Sequence, residues 1–395
     1  MASARAQPDR FRRGYLCFFK ILKLKRILKW SAVVILLALS LWILIAYWTS
    51  TNDCERYSAV LNNPMKAIVY CEYGSPNVLK FEDLEKPVPN DDQVLIKVRA
   101  ASLNAFDVYV IRDTWLGRLF FGLRKPKETG VGRDVAGQVE AVGKNVTQFK
   151  PGDEVFGICR GALAEYACAF ERALVMKPSK VSFEEAACLP LAGLTALQGL
   201  REGKIQPGQK VLINGATGGV GTFVVQIAKS FGAEVTAVCS TRNVDLVRSI
   251  GADHVVDYMK EDFTKSDQRY DVIFDNVCNH SFTERRRVLT PKGICVLAGM
   301  GGAGVKEGQA IRRIAGNLFT ARGLSSFTDQ KFAQYMTKMS KPDLIMLGDL
   351  IQDGKLRPVI ERTYKLNDAP EALRHLDGGH ARGKVVITVK QDNKI

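Results

Sequence analysis

The chain has little histidine, and its cysteines do not cluster. The four histidines (His254, His280, His375 and His380) all lie in the second half of the 395 residues, and the nine cysteines never show the C-x-x-C spacing. A small fold held together by disulfides has a dense cysteine framework, so that class of protein is excluded. Scattered cysteines are typical of a reducing compartment.

Internal repeats, low-complexity tracts and basic clusters interleaved with aromatic residues are also missing from the sequence. The formal net charge is nevertheless +15, and residues 1–30 hold nine Lys or Arg against one acid, Asp9. About half of the excess positive charge therefore lies in a basic N-terminal arm, residues 1–29, and the rest is spread over a long chain. This distribution predicts no nucleic-acid partner.

One long apolar run extends from Trp30 to Trp48, and no residue from 31 to 48 is charged. As a helix it would span roughly 28 Å, close to the hydrocarbon thickness of a bilayer. Aromatic residues at both ends resemble interfacial belts. A cleaved signal peptide would have a shorter apolar core of about 7–15 residues and a small-residue cleavage site. We therefore expect a single transmembrane anchor over 30–48, in contact with the lipid bilayer, and a polar linker over 49–64.

Residues 211–231 carry the most informative motif. A β-branched run stops at Asn214, a glycine-rich turn follows at spacing G-x-x-G-x-x-G, and apolar residues then repeat at helical spacing. Strand, glycine turn and helix N-terminus together bind a dinucleotide pyrophosphate, because backbone N–H groups and the helix dipole face the anion. The predicted cofactor-binding residues of this turn are Gly215, Ala216, Gly218, Gly219, Val220 and Gly221.

The end of the next strand selects the cofactor. An NAD site usually places Asp or Glu here, to bind the ribose hydroxyls. This chain has Ser240, Thr241 and Arg242 instead, two hydroxyls and a guanidinium that suit a 2′-phosphate. The sequence therefore predicts NADPH; the alternative is a solvated turn in which Arg242 faces water.

Two arguments about membrane topology disagree. The basic arm precedes the anchor, and residues 49–64 hold one Arg and two acids, so the positive-inside rule places the N-terminus in the cytoplasm. The folded domain would then lie on the far side, away from most NADPH and from the reducing compartment that the cysteines favour. The side of the catalytic domain stays open.

The pattern of strands and turns predicts two domains beyond the linker. Residues 65–188 hold many short strands with Gly, Pro and Asp turns, which is typical of an all-β barrel-like unit. Residues 189–325 alternate strands and helices, as in a doubly wound parallel sheet. Residues 326–395 return to mixed structure, with a helix expected around Ala333–Asp353 and closing strands PVIERTY and KVVITV. The predicted fold class is α/β with one N-terminal transmembrane helix.

From Met65 onward the chain resembles the zinc-independent medium-chain dehydrogenase/reductases, with the quinone oxidoreductases as the most similar group. The motifs that carry the resemblance are Asn104-Ala-Phe-Asp107-Val-Tyr109, Gly132-Arg133-Asp134-Val-Ala-Gly137, Lys150-Pro-Gly152-Asp153, Leu194-Thr195-Ala196, the glycine turn, Asp257-Tyr258 and Gly379-His380-Ala-Arg-Gly383-Lys384. The resemblance implies a GroES-like β-barrel domain beside a Rossmann NADP-binding domain, with the active site in the cleft between them.

The chain departs from the zinc-dependent alcohol dehydrogenases of that superfamily at the metal ligands. Asn104 stands where the first ligand cysteine is expected, and Gly132-Arg133-Asp134 replaces Gly-His-Glu. Tetrahedral zinc needs three or four N or S ligands from the protein. We therefore expect no metal, and a hydride acceptor that reacts without a Lewis acid, such as a small lipophilic quinone or α,β-unsaturated carbonyl.

The resemblance also implies roles for single residues. Asn104 and Tyr109 would contact the nicotinamide and the substrate carbonyl as catalytic residues, and Trp115 would lie over the substrate pocket. Each role has a plainer alternative: Tyr109 as a wall residue, Thr195 as a locally bonded helix hydroxyl, Tyr258 as a core tyrosine and Lys384 as a solvated strand lysine. The cofactor-binding residues expected outside the glycine turn are Thr195, Ser240, Thr241, Arg242, Tyr258, Asn276 and Lys384.

The run Leu116–Lys125 after Trp115 is both apolar and basic. As a surface loop it would be a packed lid over the cleft or a segment that touches lipid. Two other functions stay open beside the quinone or enone reductase: a zinc-independent alcohol or aldehyde dehydrogenase, and an NADPH-binding membrane scaffold with little turnover. Formation of a homodimer also stays open.

Overall fold

The computed structural model describes residues 61–298, 329–379 and 381–389, together with Cys54 and helical positions between Trp30 and Tyr47. The strands are β1 (Pro64–Tyr70), β2 (Leu79–Glu85), β3 (Gln93–Leu103), β4 (Asp134–Val142), β5 (Glu154–Ile158), β6 (Tyr166–Phe170), β7 (Leu174–Met176), β8 (Lys210–Asn214), β9 (Glu234–Cys239), β10 (His254–Asp257), β11 (Tyr270–Asp275), β12 (Leu289–Leu297), β13 (Lys331–Gln334), β14 (Ile360–Lys365) and β15 (Lys384–Thr388). The helices are α1 (Ala105–Ile111), α2 (Trp115–Phe121), α3 (Phe183–Cys188), α4 (Pro190–Glu202), α5 (Gly219–Ser230), α6 (Val244–Ser249), α7 (Phe282–Arg287), α8 (Lys341–Gln352) and α9 (Ala369–Asp377).

A six-stranded parallel sheet forms the second domain, in the order β10-β9-β8-β11-β12-β13. Its central strands read as continuous apolar runs: Val211, Leu212 and Ile213 of β8 are fully buried. Helices cover both faces of such a sheet, so strands buried on both sides lose the alternation of polar and apolar residues. The predicted Rossmann-like parallel sheet is confirmed.

The first domain is a seven-stranded, mostly antiparallel sheet in the order β14-β15-β3-β4-β5-β7, with β6 paired to β3. The β1–β2 hairpin packs beside it, and Ile68 N donates to Leu163 O at 2.8 Å. The last strand, β15, pairs with β3 in the register Val385 to Leu103. Strands β14 and β15 therefore complete the sheet of the first domain, whereas β13 belongs to the second.

One continuous hydrophobic core joins the two domains. It includes Phe156 from the first sheet, Leu194 from α4, Phe223 from α5 and Leu347 from α8. This shared core fixes the orientation of the two sheets relative to each other, and the cleft described below opens between them.

Two sequence predictions of secondary structure are wrong. Residues 333–334, the start of the helix expected around Ala333–Asp353, belong instead to the edge strand β13, because Phe332 is buried in the core and the strand pairs with β12. The helix begins at Lys341, where the Ser340 hydroxyl accepts from Asp343 N at 3.4 Å. The run Leu116–Lys125, expected as a surface loop, is helical up to Phe121, as part of helix α2.

Helix α2 is defined by local signals at both ends. The Thr114 hydroxyl accepts from Gly117 N at 3.0 Å, which caps the N-terminus. At the other end Gly122 adopts φ 133°, a conformation that L side chains rarely reach, and its N–H donates to Arg118 O at 3.0 Å.

The predicted anchor is only partly within the described residues. Its described positions are helical and exposed, with Leu37 at 64% and Trp42 at 62% of their full accessibility. Across the part of the chain that the structure describes, we find no helix with the length and hydrophobicity needed to cross a bilayer. The transmembrane helix therefore stays a prediction, and the basic arm 1–29 and residues 299–328 lie outside the described residues.

A disulfide joins Cys54 of the linker to Cys71, which follows β1 directly. The spacing of the cysteines did not predict this pair. The other described cysteines are reduced and buried or half-buried. The linker 49–64 is consequently attached to the first domain at Cys54, ten residues before its C-terminal end.

Candidate active site

The glycine turn after β8 has the shape expected for a pyrophosphate site. Gly215 adopts φ 87°, and a Cβ on Gly221 would lie 2.1 Å from Gly215 O, so only glycine lets α5 pack this close to the turn. A Cβ on Gly218 would instead make only ordinary van der Waals contact, with its nearest neighbour at 3.8 Å. The turn therefore leaves room at the N-terminus of α5 for a phosphate, as a bound dinucleotide requires.

The end of β9 supplies the groups that face the adenosine side of this turn. Ser240 and Arg242 line the cleft with Tyr258, whose side chain is 58% exposed and is therefore not a core tyrosine. Thr241 turns away from the cleft, and its hydroxyl donates to Asp257 Oδ2 at 2.6 Å. This bond, with burial opposing it, lowers the pKa of Asp257. Arg242 thus offers a cation at the position where NAD-selective sites have an acid.

Across the cleft, a buried polar network links three distant parts of the chain. Lys384 Nζ donates to Asn104 Oδ1 at 2.7 Å and to Asp134 Oδ2 at 3.2 Å. Asn104 Nδ2 donates to the same Asp134 oxygen at 2.9 Å. Ser102 Oγ also donates to Asp134, at 2.9 Å, and Leu191 N donates to its second oxygen at 3.0 Å. Lys384 is only 2% exposed, which excludes the solvated strand lysine.

Regular elements hold each member of this network in place. Asn104 is the N-cap of α1, directly after β3, and Asp134 begins β4 opposite Ser102. Lys384 begins β15, and the preceding Gly383 N donates to Thr217 O in the glycine turn at 2.8 Å. The lysine is therefore fixed both to the first sheet and to the cofactor turn.

Asp107, in the first turn of α1, supports Asn104 from behind. Its Oδ2 accepts from Asn104 N at 2.7 Å, and its side chain is buried. Burial raises the pKa of Asp107 to about 7, because the charged form loses its water, while the hydrogen bond from Asn104 opposes the shift.

Thr195 lies in the interior of α4 and also faces the cleft. Its hydroxyl donates to Leu191 O at 2.7 Å, which is the local bond expected for a helix hydroxyl, and it also lies 2.9 Å from Thr337 Oγ1. Tyr335 anchors the same turn through its hydroxyl, which donates to Thr195 O. Thr195 therefore makes the local helix hydrogen bond and also lines the cleft.

These parts meet in one cleft of about 800 Å³. The sequence-predicted residues that line it are Asn104, Tyr109, Thr195, Gly215, Gly218, Gly219, Val220, Ser240, Arg242, Tyr258, Asn276 and Lys384. Ala216, Gly221 and Thr241 support the turns without lining the cleft.

Trp115 is not part of the cleft lining. It begins α2, is 61% exposed and is not among the residues that line the cleft. Its neighbour Phe121 instead packs edge-on against Phe106, at 5.9 Å between ring centroids, and Phe106 forms the cleft wall. The structure therefore does not place Trp115 in the cleft lining, and its role over the substrate pocket stays a prediction.

Sequence reasoning missed several residues of the site. Asp134 and Asp107 were noted as parts of motifs but given no role, and their burial beside a lysine 250 or more positions away was not readable from the sequence. Other polar residues that line the cleft were also missed: Asn214, Thr217, Asn243, Asn279, His280 and Thr337. Among the described residues no group of three His, Cys, Asp or Glu could hold a metal ion.

Comparison with known proteins finds two family matches in separate parts of the chain. Residues 90–179 match the family described as alcohol dehydrogenase GroES-like domain, and residues 250–387 match the family described as zinc-binding dehydrogenase. The chain is 36% identical over 345 residues to the 2-methylene-furan-3-one reductase of Solanum lycopersicum, covering 84% of this chain and 80% of that protein.

The chain is also similar to two other oxidoreductases. The chain is 35% identical over 345 residues to the chloroplastic NADPH-dependent alkenal/one oxidoreductase of Arabidopsis thaliana, covering 83% of this chain and 81% of that protein. The solved structure of the quinone oxidoreductase from Coxiella burnetii superposes with a TM-score of 0.71 at 31% identity, covering 83% of this chain and all of that one (100%).

Proposed function

Because the chain belongs to the medium-chain dehydrogenase/reductase family, we propose that it is a membrane-anchored reductase of quinones or α,β-unsaturated carbonyls that works without zinc. It is an NAD(P)H-dependent oxidoreductase, and its cofactor is NADPH. The observation that carries the proposal is the buried Lys384–Asn104–Asp134 network, which faces the glycine turn across one cleft.

The chemistry of the network suits reduction of a conjugated carbonyl. NADPH supplies a hydride, and the acceptor then develops negative charge on its oxygen. Lys384 has three N–H donors, and two of them are taken by Asn104 and Asp134. The third has no partner among the described residues and lies at the cleft wall, so it can donate to that oxygen.

Zinc independence is supported by the identity of the residues around the network. Asn104 and Asp134 are engaged with each other and with Lys384, so their oxygens already accept hydrogen bonds from a cation. A dication at the same place would have to compete with the ammonium of Lys384. Chelation should therefore leave turnover unchanged, and elemental analysis should find no stoichiometric zinc.

Residues 30–48 are proposed as the membrane anchor. Their lack of charge and their flanking aromatic residues support this role, and the described positions expose large apolar side chains such as Leu41 and Trp42. For the topology we favour a cytoplasmic N-terminus. The positive-inside rule supports it, and the Cys54–Cys71 disulfide suits a catalytic domain on an oxidising side.

The test is a substrate panel for the full chain in liposomes. NADPH and NADH oxidation would be measured with quinones, enones, aldehydes and alcohols, before and after chelation. We expect NADPH-dependent turnover of quinones or enones. Turnover confined to alcohols and aldehydes would favour the dehydrogenase alternative, and NADPH binding without turnover would favour the scaffold.

A further inference from the structure

Helix α2 exposes large apolar side chains on the surface of the first domain. Trp115 is 61%, Leu119 48% and Phe120 69% exposed. Three large apolar side chains grouped on two turns of one helix are costly in water unless something covers them. We call Trp115, Leu119 and Phe120, with the exposed Arg124 and Lys127 that follow, the α2 face.

The charged residues within the α2 segment are all basic, and the acids Asp113 and Glu128 flank it. From Thr114 to Lys127 the sequence holds four basic residues and no acid. Arg118 is bonded to Asp113 Oδ1 at 2.6 Å and to Leu123 O at 3.0 Å, which folds the basic segment back against the helix. Aromatic and aliphatic side chains beside exposed basic residues fit the headgroup region of a bilayer with anionic lipids.

The disulfide limits how far the α2 face can lie from the proposed anchor. Cys54 follows Trp48 by six positions, and six extended residues reach at most about 20 Å. Cys54 is bonded to Cys71, two residues before Tyr73. The Tyr73 hydroxyl donates to Gly122 O at 2.9 Å, at the C-terminal end of α2. The exit of the apolar segment is therefore held on the side of the domain where α2 lies.

A second contact points to the same arrangement. The Arg118 guanidinium lies 5.1 Å from the centroid of the Tyr73 ring. Its pKa is raised mainly by the hydrogen bond with Asp113. Arg118 and Tyr73 therefore hold α2 against the segment that carries Cys71.

The α2 face also adjoins the cleft. Phe121 packs against Phe106, and Phe106 lines the cleft wall. The Phe121–Phe106 pair therefore separates α2 from the cleft by one aromatic layer.

We propose that the α2 face rests on the lipid bilayer that holds residues 30–48, and that the enzyme takes lipophilic substrates from that surface. This inference rests on the membrane anchor of the proposed function. The disulfide sets the side of the domain that faces the membrane, and the basic residues favour anionic headgroups.

Fluorescence quenching tests the contact without any use of enzyme activity. In a full chain with Trp30→Phe, Trp42→Phe and Trp48→Phe, Trp115 remains as the single tryptophan. In liposomes containing phosphatidylglycerol, we expect lipids with brominated acyl chains to quench its fluorescence and acrylamide to quench it poorly. Quenching by acrylamide alone would overturn the proposal. Protection that depends on the protein-to-lipid ratio would assign the face to a second copy of the chain and also overturn it.

Kinetics test the consequence for substrates. We expect Leu119→Ser with Phe120→Ser to raise the KM for a long-tailed quinone about tenfold, since burial of apolar side chains is lost. A short, soluble quinone should react as in the wild type. The matched control is Phe81→Ser with Val88→Ser, which removes two exposed apolar side chains elsewhere (42% and 87% exposed). An equal loss of turnover with both quinones would show that α2 is a packed lid and overturn the proposal. A wild-type protein without turnover of any quinone would refute the proposed function, but the quenching result would remain valid.

Discussion

Lys384 lies at a position that solvent hardly reaches, and its Nζ is 3.2 Å from the buried carboxylate of Asp134. Asp134 is fully buried and accepts four hydrogen bonds, from Lys384, Asn104, Ser102 and Leu191. Removing one partner of a buried ion pair leaves the other charge uncompensated. Substitution of Lys384 should therefore change both the stability of the fold and kcat, and the two effects must be measured separately.

We expect Lys384→Met to lower kcat by roughly 10²-fold, as for the loss of one donor to a developing oxyanion. It should also destabilise the fold by about 3–5 kcal/mol, because the carboxylate of Asp134 loses its cation. Adding Asp134→Asn should restore most of the stability but not kcat. Thermal unfolding and steady-state kinetics measure the two effects, and wild-type kcat in the double variant would make Lys384 purely structural.

Arg242 should determine the preference for NADPH. Arg242→Ala should weaken NADPH binding by about 1.5–3 kcal/mol, since a charge-assisted hydrogen bond to the 2′-phosphate is lost. NADH lacks that phosphate, so its Kd should hardly change. Calorimetric titration of both cofactors decides the matter, and a wild type that prefers NADH would contradict the assignment.

Asp107 should make the stability of the fold depend on pH. Its folded-state pKa, about 7, lies above the unfolded value near 3.8, so the folded state holds the extra proton between these values. Its contribution to the free energy of unfolding is complete below about pH 4 and is lost as the pH rises through 7. Asp134, Lys384 and Arg133 are the charged groups that act on it. Urea unfolding should show a smaller difference in the free energy of unfolding between pH 5 and pH 8 for Asp107→Asn than for the wild type. If that difference is unchanged in the variant, other groups cause the pH dependence.

The strand–turn–helix element β8–α5 contains two glycines that differ in the room for a Cβ: Gly221 has none, whereas Gly218 has enough. Gly221→Ala would place a Cβ 2.1 Å from Gly215 O, so α5 must shift and the melting temperature should fall. Gly218→Ala should fold normally, because its Cβ meets nothing closer than 3.8 Å, but the methyl group would occupy the phosphate space. Differential scanning calorimetry with and without NADPH separates the cases. A Gly218→Ala chain with normal NADPH stabilisation would contradict the position of the phosphate.

At the level of elements, the sequence predicted what local patterns encode. The β8–α5 unit and the two-domain order follow from apolar periodicity and glycine spacing, and the structure agrees with both. It did not predict β13, since the run Lys331–Gln334 becomes a strand only beside β12. The outward orientation of Trp115 depends on the Thr114 cap, and the burial of Lys384 on pairing between strands far apart in sequence. Such contacts are tertiary and leave no local pattern.

At the scale of the whole molecule, the Cys54–Cys71 disulfide connects topology to stability. Closing a loop between residues 17 positions apart constrains the unfolded chain by about 3 kcal/mol. We expect membrane fractions, denatured and treated with a maleimide of high mass, to gain two labelled cysteines only after reduction. A chain with Cys54→Ser and Cys71→Ser is the control and should show no such gain. Labelling of both cysteines without reductant would place the domain in a reducing compartment.

The return of β15 to β3 also governs how the protein is made. Asn104 and Lys384 are 280 positions apart, and the stretch of β3 from Ala100 to Leu103 pairs with β15. At a synthesis rate of about 5–20 residues per second, a ribosome needs roughly 14–56 s to cover that distance. During this time one edge of the nascent first domain is open to pairing with other chains. The buried network of the active site therefore forms only after β15 has left the ribosome.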